Sequence, residues 1–273
     1  MMVNMGTVWD RTTEFLSDNL SAMAPVALAA IFLPQFVGDV VNQVGPSLGA
    51  PVMQVVGLIS ALVGLWGQLA IVALALDPDA GRGAARAAAT RGYGRALLVM
   101  VVVFAAMAVL TLPILGVLIA SGVDVARFAG TGAAATAPDI SLGTGAFLGL
   151  YGIALLIVLL LVTVRLAPVY PVILAEGLGL AAIGRSLAVT RGITWKLVGV
   201  WLLFLIVFLV ATGAARSVFG LVAGLLVPGE GPFTAASIVA ALAGALITTA
   251  FTTIVAAFSA KLYRAVTRAS AVA

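Results

Sequence analysis

Between Asp39 and Asp77 the chain runs without a single charged side chain, and five further stretches are nearly as clean. A helix needs about 20 residues to cross the roughly 30 Å hydrocarbon core of a bilayer. Six runs meet that length: 19–38, 52–76, 96–122, 143–164, 197–215 and 235–260. Of the 273 residues, 63% are hydrophobic and only 9% charged. A soluble domain carries about 25% charged residues, so this chain cannot clothe a water-facing surface of its own. In lipid the same composition is expected, because the surrounding solvent is itself apolar. The fold class expected is therefore all-α, a polytopic membrane protein of six transmembrane helices.

Several details qualify the spans. Pro25 and Pro34 should bend or fray the first, and Pro113 should kink the third. The segment VVNQVGPSLGAP, 40–51, reads as a loop, and 123–142, rich in Gly, Ala, Thr and Asp, reads as the longest one. Past Pro168 and Pro171 the fourth span continues to Leu174 as a broken or interfacial segment. Residues 1–18 form a mixed-charge cytoplasmic segment, with Asp10, Arg11, Glu14 and Asp18 where a secretory signal would be basic, so the first run reads as a retained span. Residues 261–273 form a basic tail.

Lys and Arg concentrate in short cytoplasmic loops. The 2–3 connection holds Arg82, Arg86, Arg91 and Arg95, and the 4–5 connection holds Arg185, Arg191 and Lys196, with Arg165 just before it. The tail adds Lys261, Arg264 and Arg268, and the N-terminal segment adds Arg11. Twelve of the 14 basic residues thus fall on one side, against Arg127 and Arg216 on the other. The opposite connections carry Asp39, Asp124, Asp139 and Glu230 instead. Both termini are expected in the cytoplasm.

Residues 84–98 and 184–198 share five letters at an offset of 100: Ala88, Thr90, Arg91, Gly92 and Leu97 recur as Ala188, Thr190, Arg191, Gly192 and Leu197. A basic residue, Arg95 or Lys196, precedes each return into the bilayer. The expected unit is a two-span hairpin, then an amphipathic elbow helix on the cytoplasmic surface, then a glycine hinge. Trp195 and Tyr93 suit the headgroup level. Lys261, Arg264 and Arg268, spaced i, i+3, i+7, read as a third, truncated elbow. A two-span unit keeps its orientation, so the repeat would be parallel.

The stretch from Arg165 to Leu202 carries Arg165-Leu166, Pro171, Glu176, Arg185-Ser186, Thr190-Arg191-Gly192 and Trp195. This order resembles the glycerophosphoryl diester phosphodiesterase membrane domain and the small bacterial inner-membrane proteins built of that domain alone. The resemblance implies a multi-pass protein of the bacterial inner membrane. It does not imply phosphodiesterase activity, which in fused relatives belongs to a separate soluble barrel with histidines, and this chain has no histidine or cysteine.

Candidate residues fall into three groups. Arg165, Glu176, Arg185, Ser186, Thr190, Arg191, Gly192, Trp195 and Lys196 form a lipid-headgroup or structural motif. Arg86, Thr90, Arg91, Gly92 and Arg95 are its first-copy equivalents. Glu176 reads either as a carboxylate for a headgroup amine or cation or as an anchor paired with Arg185. Gln54, Gln68, Thr248, Thr249, Thr252 and Thr253 make an intramembrane polar face that either lines a path or serves helix packing. The two glutamines are expected to turn toward another helix. As bounded above, the first, second, third, fifth and sixth spans hold no Asp, Glu, Lys or Arg, whereas ion-coupled transport usually needs an intramembrane ionisable group. No Walker A motif, metal cluster or Ser/His/Asp arrangement occurs, so no cofactor is expected. The reading is a structural or accessory envelope protein, with a small transporter or lipid-moving protein and a lipid enzyme as alternatives. The expected partners are anionic lipid headgroups at the cytoplasmic face and a membrane protein; nucleic acid is not one.

Overall fold

The computed structural model describes residues 4–122, 141–229, 231 and 233–271. Among these every regular element is helical, and six helical stretches are long and apolar enough to cross a membrane. The chain is an all-α, polytopic membrane protein. In order the elements are α1 (Met5–Asp18), α2 (Leu20–Ala27), a π turn (Leu28–Phe32), α3 (Leu33–Leu48), α4 (Ala50–Leu76) and α5 (Gly81–Ala120). Then follow α6 (Leu142–Leu166), α7 (Val169–Glu176), α8 (Ala181–Val189), α9 (Thr194–Leu226) and α10 (Ala235–Ala271). Much of 123–142, with Asp124, Arg127 and Asp139, lies outside the described residues, as does Glu230.

The first span is one helical path, α2 through α3, that absorbs both prolines. Pro34 cannot donate to a carbonyl one turn back. The helix widens just before it, and the Leu33 N–H reaches Leu28 O in the five-residue pattern of a π turn. The Pro34 carbonyl accepts from Ser60 Oγ at 3.0 Å. The widened turn seats against Gly67 of α4, where an added Cβ would stand 2.8 Å from the Ala30 Cβ. Pro113 likewise leaves α5 unbroken, and Tyr151 Oη donates to the nearby Leu110 carbonyl at 2.8 Å.

The helices outrun the apolar runs. The loop expected over 40–51 is helical to Leu48, and Gly49, with φ +81°, makes the turn into α4. Helix α5 is 40 residues long and α9 is 33, about 60 and 50 Å at 1.5 Å per residue. Both exceed the hydrocarbon core, so α5 has a stalk before Ala96. Its buried residues Ala85, Ala89, Gly92, Ala96 and Val99 form a stripe of small side chains that lets α4 and α7 approach closely. That continuity corrects one expectation: Gly92 is no hinge, and no separate elbow helix exists in the first copy. Gly92 is buried, and a Cβ there would meet Leu174 Cδ2 at 2.6 Å. Tyr93 points inward and donates to Leu62 O at 2.9 Å, rather than lying at a headgroup.

The second copy does break. Helix α8 ends at Thr190, Gly192 adopts φ +89°, and α9 starts at Thr194. The tail segment 261–268 is part of α10, without interruption.

Two clusters make the core. The larger joins α1, α2 and the π turn with α4, the first half of α5, α7, α8 and α10; the smaller joins α1, α6, α8, α9 and α10. The outer spans α5, α6 and α9 leave rows of Leu, Ile, Val and Phe exposed, as lipid contact requires. Helices α9 and α10 pack through aromatic edges, Phe204 on Phe258 at 5.6 Å and Phe208 on Phe251 at 5.4 Å. They close further at Gly220, where a Cβ would touch Ala240 Cβ at 3.1 Å.

Candidate functional site

At the basic end of the bundle, the motif read between Arg165 and Lys196 folds into a joint between five helices, α6 to α10. The fourth span breaks at Ala167-Pro168, and α7 carries the chain on to Glu176, where Gly177 ends the helix in the left-handed conformation with φ +67°. Pro cannot continue a helix from behind, and only glycine enters the left-handed region without a Cβ penalty. The turn throws α8 back across the end of α6. Arg185 of α8 then places Nε 3.0 and 3.1 Å from the two oxygens of Glu176. Tyr263 of α10, 87 residues away, donates its hydroxyl to Glu176 Oε1 at 2.8 Å. Glu176 therefore joins α7, α8 and α10.

A second thread runs beside it. Ser186 Oγ donates to Arg165 O at 2.7 Å, and Arg165 Nε donates to Thr194 Oγ1 at 3.4 Å. Thr190 Oγ1 bonds Ser186 O at 2.9 Å, one turn back, and Thr194 does the same to Thr190 O at 3.1 Å. Ser186 and Thr190 are fully buried. Such back-bonding satisfies a hydroxyl locally and leaves it no free reach. Arg191, Gly192, Trp195 and Lys196 are exposed along the mouth of this joint, Trp195 by 79%.

The first-copy residues lie on the α5 stalk. Arg86, Thr90, Arg91 and Arg95 are exposed and Gly92 is buried. Thr90 Oγ1 bonds Arg86 O at 3.0 Å, the bond that Thr190 makes in the second copy, and it accepts from Trp66 Nε1 at 3.2 Å. The polar face does not assemble as one. Among the described residues Gln54 is exposed near the start of α4, while Gln68 is half-buried. Thr249 and Thr253 each bond a carbonyl one turn back, at 2.7 and 2.8 Å, and Thr248 and Thr252 are half-buried on the same helix.

The structure adds an ion pair that the charge-free runs concealed. Asp39 and Arg216 lie inside α3 and α9, 177 residues apart, and Arg216 Nη2 donates to Asp39 Oδ2. Gln35 Nε2 donates to Asp39 Oδ1 at 3.2 Å. The absence of ionisable groups expected for the first and fifth spans is corrected accordingly, because both helices continue past the boundaries drawn from hydropathy. The guanidinium occupies the space over Gly244 of α10, where a Cβ would stand 2.7 Å from Cζ. Among the described residues its Nε is buried without a partner. Asp39 is 13% exposed and Arg216 41%. Each lies roughly 20 residues, or about 30 Å, along its helix from the basic end, so the pair ties α3, α9 and α10 at the opposite end.

Sequence reasoning also missed α1. Asn4 caps it by accepting from the Gly6 N–H at 2.9 Å, and Val8, Thr12 and Phe15 are buried at i, i+4, i+7 spacing against α10. The cap and the spacing were both visible in the letters. Lys261 of α10 packs over the Phe15 ring at 4.5 Å and donates to Ala75 O at 3.0 Å, holding α1, α4 and α10 together. Among the described residues no group of three or more Asp and Glu is placed to hold a metal ion. Comparison with protein-family models, with curated proteins and with solved structures finds no match to this chain.

Proposed function

We propose that the protein is an accessory component of the bacterial inner membrane, a locked bundle that meets anionic lipid headgroups through exposed bases at its cytoplasmic end. The observation that carries this reading is how the helix-borne charges divide. Glu176 is engaged by Arg185 and Tyr263, and Asp39 by Arg216 and Gln35. A transport site needs ionisable groups that can exchange partners, and these carboxylates already hold helices to one another. Arg82, Arg86, Arg91, Arg95 and Arg191 instead stand exposed where helices meet the interface. Juxtamembrane bases contribute about 1 kcal/mol each toward an anionic leaflet. Trp195 beside them is the ring type that settles at headgroup depth.

The orientation follows from the 12 of 14 basic residues on one side, so both termini face the cytoplasm. The span pairs are a parallel repeat in this reading, supported by the shared letters and by the matching Thr90 and Thr190 back-bonds. The likeness of 165–202 to the phosphodiesterase membrane domain leads to the same location without an activity.

Reconstitution in liposomes tests it. The account expects anionic lipid to co-purify and no saturable flux of lipids or small solutes. It also expects Glu176→Gln to change abundance or melting without changing lipid content. Saturable flux that Glu176→Gln abolishes at normal abundance would establish the transporter reading instead.

A further inference from the structure

A second feature of the basic end carries different chemistry. Helix α1 precedes the first span and α10 carries the sixth, and between them opens a cleft of about 490 Å³, within the roughly 300–1,000 Å³ of small-molecule sites. One wall is the α1 stripe Arg11, Glu14 and Asp18, at i, i+3, i+7. The facing wall is the α10 stripe Lys261, Arg264 and Arg268 at the same spacing, and Asp79 of the α4–α5 turn closes the side. The exposed elbows are uniformly basic, whereas this cleft sets acids opposite bases.

Facing charges on two helices ordinarily join in salt bridges. Here none of the cleft's carboxylates lies within 4 Å of a cleft base among the described residues. Lys261 is already committed to Ala75 O and the Phe15 ring, so it forms the floor. The free groups are therefore two guanidiniums on α10, and across from them the carboxylates together with the Arg11 guanidinium. Guanidinium forks suit phosphate oxygens, and a carboxylate suits an ammonium.

We propose that this cleft binds a zwitterion bearing both a phosphate and a primary ammonium, the phosphoethanolamine group, with Arg264 and Arg268 on the phosphate and Glu14 and Asp79 on the ammonium. The membrane-level floor supplies a lipid headgroup as one source, and the open cytoplasmic mouth supplies a free phosphoethanolamine as the other. The site is separable from the anionic-lipid reading above, since it engages an ammonium at Glu14 and Asp79 as well as a phosphate at Arg264 and Arg268.

Native mass spectrometry of the full chain in mild detergent, doped with equimolar phosphatidylethanolamine, phosphatidylglycerol and phosphatidic acid, tests the cleft. The expected result is one phosphatidylethanolamine retained per chain, lost at least tenfold in Glu14→Gln/Asp79→Asn while that variant melts within a few degrees of the parent. A parallel titration with free phosphoethanolamine assigns the source: displacement of the lipid shows that the soluble group occupies the same cleft, and no displacement assigns the cleft to the lipid. If phosphatidic acid is retained equally well, or the double variant retains phosphatidylethanolamine unchanged, the cleft proposal is overturned. Should the variant fail to fold, Arg264→Gln read in the same mixture replaces it, with the same tenfold loss expected and unchanged retention again overturning the proposal. Enrichment of phosphatidylglycerol without any preference for phosphatidylethanolamine sinks the cleft alone. A phosphatidylethanolamine preference without enrichment of anionic lipid sinks only the accessory-protein reading.

Discussion

Replacing Asp39 by Leu leaves the Arg216 guanidinium over Gly244 with its counter-ion gone, Gln35 without its acceptor, and Nε still unpartnered. Breaking a buried pair from one side costs about 3–5 kcal/mol, because a charge is left uncompensated. The Arg216 side chain is 41% exposed, and near a membrane interface a long side chain can snorkel, which lowers the cost to about 1–3 kcal/mol. Arg216→Met alone strands Asp39, which is less exposed and still bonded to Gln35, and falls in the same range. The double variant Asp39→Leu/Arg216→Met removes both charges and returns to within about 1 kcal/mol of the parent, since an apolar replacement of an ion pair is often neutral. The coupling energy is then about 3 kcal/mol at the middle of these ranges, above the roughly 1–2 kcal/mol of polar contacts between membrane helices. Reversible unfolding in mixed micelles, followed by tryptophan fluorescence, measures all four states. Single variants as stable as the parent, with coupling indistinguishable from zero, would refute the claim that this pair locks the end opposite the basic one.

Three further outcomes follow from the packing. Gly67→Ala costs about 1–3 kcal/mol, because its Cβ meets the rigid Ala30 Cβ, whereas Gly92→Ala costs less, because the Leu174 methyl it meets can rotate away; melting temperatures of the two variants read the order. Tyr263→Phe removes one bond to a partly exposed carboxylate and lowers stability by about 1 kcal/mol, and in Glu176→Ala the same change has almost no effect; the difference in unfolding free energy checks the pairing. A reporter active only outside the cytoplasm is silent when fused after Ala273 and active when fused after Gly132; the reverse pattern overturns the orientation.

The number of spans was legible because hydrocarbon admits only long apolar helices, and that demand is written residue by residue. So was the break at Pro168, and so was the Glu176–Arg185 pair as one reading of that carboxylate, since the two residues lie nine apart in the chain. Tyr263 was not legible as their partner. A tyrosine after a lysine at a helix end looks interfacial, and only the packing of α10 against α7 brings it to Glu176. The Asp39–Arg216 pair was hidden for a related reason: each charge looked like the end of a span, and nothing local tells that a helix continues through it. Gly92 misled by analogy. Its counterpart Gly192 bends the chain, but at Gly92 the absent side chain makes room for Leu174 and the helix runs straight. Glycine serves as hinge or as slot according to its neighbours, and the letter is the same in both cases.

The central claim is that a bundle locked by its own charges meets the membrane through exposed cytoplasmic bases. Quantitative lipid analysis of the chain purified in mild detergent, beside Arg86→Gln/Arg91→Gln/Arg191→Gln, tests it most directly. The account predicts anionic lipid enriched over the bulk membrane by several-fold in the parent and falling to bulk proportion in the variant, with unfolding free energies unchanged. Equal lipid composition in parent, variant and bulk membrane would contradict it.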